Sequence, residues 1–148
     1  MSGISIKSAK EIERMKEAGR ILAIVHEELE KFIRPGISTW DIDKKGYDLI
    51  KSFGCEPSFL NYNGYPASIC VSVNDEVVHG IGSDRCLEEG DIVTLDICTL
   101  YKGYHSDSAW TYPVGKINKE KEYLMHHTEK ALFIGLKELK AGVPLGNA

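Results

Sequence analysis

A chain of 148 residues, 43% hydrophobic and 27% charged, is long enough for one domain with a real core and has the composition of an ordinary globular protein. Its formal charge of -4 gives no reason to expect nucleic acid as a partner, because phosphate binding needs a concentrated basic face. There is no apolar run near the length of a membrane span and no signal-peptide stretch at the N-terminus, so the expectation is a cytoplasmic protein without a membrane partner.

The first predicted element is a helix from about Ser8 to Ile33. Ser8 and Glu11 have capping-box spacing, and Ile12, Met15, Leu22, Val25, Leu29 and Phe32 recur in steps of three and four. Lys7, Lys10, Arg14 and Lys16 alternate with Glu11, Glu13 and Glu17, the pattern of a solvated face. Pro35-Gly36 ends the helix. A second helix starts near Ser38 or Thr39, carries Ile42, Leu49, Ile50 and Phe53, and ends at Gly54. From Ala67 to Val78, "ASICVSVNDEVV" reads as two short strands broken at Asn74-Asp75. Glu88–Asp91 is a turn, Ile92–Leu100 a strand, and Tyr104–Val114 another. A third helix follows Asn118, carries Leu124, Ala131, Leu132, Leu136 and Leu139, and closes at Gly142; "AGVPLGNA" has the form of a loop leading into a further helix. The four cysteines (Cys55, Cys70, Cys86 and Cys98) form no C-x-x-C pair and are expected as free buried thiols. The expectation is one α+β unit.

Asp96 and Asp107 lie on the two arms of a hairpin around Tyr101-Lys102-Gly103. Alternation puts Asp96 on the face of Ile92, Thr94, Cys98 and Leu100, and Asp107 on the face of His105, Ala109 and Thr111. A two-residue loop at Tyr101-Lys102 would set the aspartates directly opposite, with Cβ atoms about 5 Å apart; a bulge at Gly103 would shift that register by one. Facing carboxylates repel unless a proton, a basic side chain or a metal lies between them. No Asp-Thr-Gly loop flanks them, and Lys102 and Arg85 are expected to face solvent. Divalent ions suit such oxygens. One aspartate could equally be an edge charge or a turn cap.

The stretches "NYNGYPASICVSVNDEVVHGI" (61–81) and "GDIVTLDICTLYKGYHSDSAWTYPVG" (90–115), with "GISTWDID" and "LKAGVPLGNA", resemble the type I methionine aminopeptidases. The resemblance implies the pita-bread, creatinase/aminopeptidase-like fold: a curved antiparallel sheet with helices packed on its outer face, built from two related halves. It also implies two divalent metal ions (cobalt, manganese, iron or zinc), held in the family by two aspartates, a histidine and two glutamates. Asp96 and Asp107 match the two aspartates, Asp96 chelating one ion and Asp107 bridging both. His79 matches the histidine that contacts substrate near the scissile bond, and is thereby the candidate catalytic residue. Phe59, Tyr62, Tyr65 and Cys70 match positions lining the methionine pocket. Read without the family, His79 would be a satisfied histidine at a strand end, Cys70 a core thiol, and Tyr62 and Tyr65 packing around the Asn63-Gly64 turn. His105 has no role by resemblance, and His126-His127 point about 100° apart on a helix, so they cannot chelate one ion together.

The implied activity is removal of the N-terminal methionine from nascent polypeptides, whose N-termini are the substrate, with the ribosome as a further candidate partner and a monomeric complete enzyme. The likeness runs the length of the chain but reaches only the family's first half. Residues 1–148 are therefore expected to be the first half of a catalytic domain, with the second half and its histidine and glutamate ligands absent, and to be inactive alone. Gly82, where the family often has proline, and Ser106, where it often has glycine, remove no ligand. A stand-alone half that binds peptides or proteins without turnover is the alternative reading. An X-Pro aminopeptidase is a third, which the 61–80 block argues against.

Overall fold

Ser8 closes a capping box on Glu11 in the computed structural model, which describes residues 4–148. The Ser8 amide donates to Glu11 at 2.7 Å and the Glu11 amide to Ser8 Oγ at 3.4 Å, satisfying two otherwise orphaned donors. Helix α1 runs from there, Ala9–Phe32. Ser38 and Asp41 repeat the device at α2, Thr39–Ser52. Each helix buries one stripe: Ala18, Ile21, Leu22, Val25 and Leu29 on α1, and Ile42, Gly46 and Ile50 on α2.

The strands are β1 (Glu56–Pro57), β2 (Cys70–Val73), β3 (Ile92–Tyr101) and β4 (Tyr104–Pro113). All pairings are antiparallel. Strand β3 is central, with β1 and β2 along one edge and β4 along the other. Val93, Leu95 and Ile97 of β3 are fully buried and join the α1 and α2 stripes in one core with Ile69, Val71, Val73 and Tyr112. Both helices therefore cover one face of the sheet. The other face, with Thr94, Asp96 and Cys98, is left open to the site.

Four expectations are corrected. Of the two strands expected in 67–78 only Cys70–Val73 forms, because the returning chain gives β2 one ladder bond, Val71 N–H to the Gly80 carbonyl at 2.9 Å, while the Gly80 amide goes to Ser72 Oγ. Strand β1 was not anticipated; two residues are too few for a periodic signal. Helix α3 spans Lys119–Glu138 and stops short of Gly142. The end of the chain is a loop with a three-residue 3-10 turn at Leu145–Asn147, in keeping with the loop expected there. Cys55, Cys70 and Cys98 are buried free thiols, whereas Cys86 is exposed.

Candidate metal and peptide site

The hairpin that carries the aspartates turns at Lys102-Gly103, with φ of 47° and 86°. Two consecutive positive φ values define the type I′ turn that matches strand twist, and glycine at the second position makes it accessible. Tyr101 thus pairs with Tyr104, which places Asp96 opposite Ala109 and Asp107 opposite Cys98. The expected Tyr101-Lys102 loop, with the aspartates directly opposed, is corrected by this register. A shift of two residues preserves the face, so the carboxylates share one side of the ribbon as diagonal neighbours.

Burial, then the negative charge of Asp107 and the hydrogen bond to it, raise the Asp96 carboxyl from 3.8 to about 6, with His79 pulling the other way. Neither Lys102 nor Arg85 neutralises the pair. Lys102 lies over the Tyr101 ring, 4.8 Å from its centroid, and Arg85 binds Glu76 at 2.9 Å. The two thiols of this face are also affected: burial raises the Cys70 and Cys98 thiols, and the aspartate charges raise them further.

Every sequence-predicted site residue lines one cleft of about 600 Å³: Phe59, Tyr62, Tyr65, Cys70, His79, Asp96 and Asp107. Cys70 is the β2 partner of Asp96. The Tyr65 ring meets Phe59 edge-on, with centroids 6.3 Å apart, and its hydroxyl donates to the Gly80 carbonyl at 2.9 Å. His79 precedes that glycine with φ of 60°, left-handed and exposed. A Cβ on Gly80 would fall 2.1 Å from the Val71 carbonyl oxygen. Only glycine permits this approach, and it hangs His79 against β2.

Asn63, Gly64, Pro66 and Ile81 also line the cleft. Sequence reasoning did not single them out; Asn63, with φ of 49°, carried only a turn signal. His105 is held by Ser58 at 2.9 Å. His126 and His127 lie on exposed α3, where the His127 ring stacks on Tyr123 at 3.7 Å.

An unneutralised pair of hard oxygen donors, one with raised proton affinity, has the chemistry of a divalent-cation site. The donor type fits the implied metals. The number does not complete a shell: among the described residues no group of three or more His, Cys, Asp or Glu could hold a metal ion.

Residues 13–148 match metallopeptidase family M24. A Bacillus subtilis (strain 168) protein named methionine aminopeptidase 1 is 51% identical over 144 residues, 97% of this chain and 58% of that protein. The crystal structure of a Thermotoga maritima methionine aminopeptidase superposes with a TM-score of 0.89 at 38% identity, over 93% of this chain and 56% of that one. A Xaa-Pro dipeptidase from Bacillus anthracis superposes with a TM-score of 0.79 at 29% identity, over 93% and 38%. The chain thus spans about half the length of the methionine aminopeptidases it matches, and it has the α+β pita-bread architecture expected from its sequence over that half. On this footing the chain belongs to metallopeptidase family M24.

Proposed function

We propose that these residues form one half of a methionine aminopeptidase, which hydrolyses the first peptide bond of polypeptides beginning with methionine. The observation that carries this reading is the convergence of Asp96, Asp107, His79 and an aromatic-and-thiol wall on one cleft. Asp96 and Asp107 would hold two divalent ions (cobalt, manganese, iron or zinc) together with ligands from outside these 148 residues. The chemistry such ions supply when bound is Lewis-acid activation of water and of the scissile carbonyl. Phe59, Tyr62, Tyr65 and Cys70 pack the thioether, which gains sulfur–aromatic contact. His79 hydrogen-bonds the peptide beside the scissile bond and stabilises charge developing there. Nascent chain N-termini in the cytoplasm, presented at the ribosome, are the proposed substrates, and the complete enzyme acts as a monomer.

The test joins this chain to the part of the Bacillus subtilis relative beyond the matched region and follows methionine release from Met-Ala-Ser with added divalent metal. Release is expected only with metal. Asp96→Asn or Asp107→Asn should lower it by more than about a hundredfold, since even outer partners of metal ligands are worth about 10–100-fold. His79→Ala should cost about 10²–10³ in kcat. Peptide binding without turnover in the joined protein would reject the enzyme. For the 148 residues alone, the shortage of ligands favours the second reading, peptide binding without catalysis.

A further inference from the structure

Asp43 is a carboxylate on the buried stripe of α2, 7% exposed, and the proposed reaction does not use it. Its Oδ1 accepts the Ser68 amide at 2.8 Å and the Ile69 amide at 2.9 Å. These two residues run directly into Cys70, and the Val71 amide then reaches the Gly80 carbonyl that also receives the Tyr65 hydroxyl. The same turn of α2 holds the segment that follows the cleft residue Ile81. Thr39 Oγ1 accepts the Ser83 amide at 2.9 Å, and the Thr39 and Trp40 amides donate to the Arg85 and Ser83 carbonyls, each at 2.9 Å. Gly82 lies flat on this turn: an added Cβ would meet the Thr39 carbonyl oxygen at 3.1 Å and Asp43 Cβ at 3.2 Å.

We propose that Asp43 is a positioning residue for the cleft: by holding the Ser68 and Ile69 amides it sets β2, and through the Val71–Gly80 contact it places Tyr65, Cys70 and His79. Its consequence for ligand binding rests on the methionine-pocket reading; its consequence for the backbone does not. Asp43 does not line the cleft and touches no substrate position.

Asp43→Asn keeps an acceptor oxygen at the same place, and Asp43→Leu removes it at similar volume. Amide hydrogen exchange in the 148-residue chain should accelerate at Val71 at least about tenfold in Asp43→Leu, against Val93 and Leu95 as internal references. In Asp43→Asn the change should stay within about threefold, because a buried amide left unpaired costs about a factor of ten or more. Binding of L-methionine amide, followed by NMR titration, should weaken about tenfold in Asp43→Leu and stay within about twofold in Asp43→Asn. Leu29→Ala, a core change away from the cleft, should lower the melting temperature and leave that binding within about twofold. If Asp43→Leu does not fold, Asp43→Glu, whose longer arm displaces the acceptor, should give the same changes. Unchanged Val71 exchange, or an equal loss of binding in Leu29→Ala, would overturn the proposal. A parent chain that does not bind L-methionine amide would reject the pocket reading alone, with the exchange result still deciding the role of Asp43.

Discussion

Asp96 and Asp107 repel across a diagonal of the β3–β4 ribbon, and the proton affinity of Asp96 records it. A folded-state pKa of about 6, against an ordinary 3.8, means that the folded chain binds this proton more tightly than the unfolded chain. The associated stability is full below the ordinary value and is lost as pH rises through about 6. Asp96→Asn should therefore stabilise the metal-free chain at neutral pH, by about 1 kcal/mol once the open side of the carboxylate is allowed its solvent screening. The gain should vanish towards about pH 4. In the protein joined to the remaining part of the Bacillus subtilis relative, excess manganese should raise the melting temperature of the parent and not of Asp96→Asn; a joined parent indifferent to divalent metal would sink the metal role. At this scale the neighbours that each aspartate shares a face with on its own strand were legible, because alternation along a strand is local. The register was not, since it depended on which two residues accept positive φ, and Lys102 carries no signal for that.

His26 joins two elements. Its ring lies between α1 and β4, 8% exposed, with Nδ1 3.0 Å from the Tyr112 hydroxyl and Nε2 3.2 Å from the Ser108 carbonyl oxygen. Ser108 Oγ also lies 3.1 Å from Nε2; a proton on Nε2 satisfies the carbonyl, which can only accept, and leaves Nδ1 to accept from Tyr112. Burial lowers the pKa of this imidazole below 6.5. The stability tied to the neutral ring is full above 6.5 and is lost as pH falls below it through the folded value. Thermal unfolding from about pH 7 to 5 should show a fall in melting temperature that is smaller in His26→Gln; equal slopes would rule out the ring as the cause. Helices α1 and α2 were legible from their capping boxes and apolar stripes. His26 was not legible as a tertiary anchor, although it directly follows Val25 of the α1 stripe, because its partners Ser108 and Tyr112 lie 82 and 86 residues further along the chain. Asp43 had a signal that went unused: with Thr39, Ile42, Gly46 and Ile50 it occupies the buried helical stripe, where a charge requires a partner.

Helix α3 buries none of its residues. Leu124, Leu132, Phe133, Ile134 and Leu136 are all about half exposed, and a groove of about 920 Å³ separates the helix from Trp110 and Thr111. Among the described residues strand β4 pairs only with β3, which leaves its outer edge unpaired. A long open strand edge beside apolar surface invites association. The 148-residue chain should accordingly self-associate in analytical ultracentrifugation at micromolar concentration, and Phe133→Glu with Leu132→Lys should shift it towards monomer. A monodisperse parent that melts cooperatively would contradict this.

The order of amino acids by itself determined where helices start and stop, which side chains share a strand face, and which residues resemble the M24 signature, because each depends on neighbours within a few positions. Only the tertiary structure decided that Lys102-Gly103 makes the turn, that Gly80 presses against Val71, and that Asp43 and Thr39 hold two segments that run into one cleft. Those outcomes are set by contacts between segments distant in sequence, where backbone donors and acceptors find partners that no local pattern names.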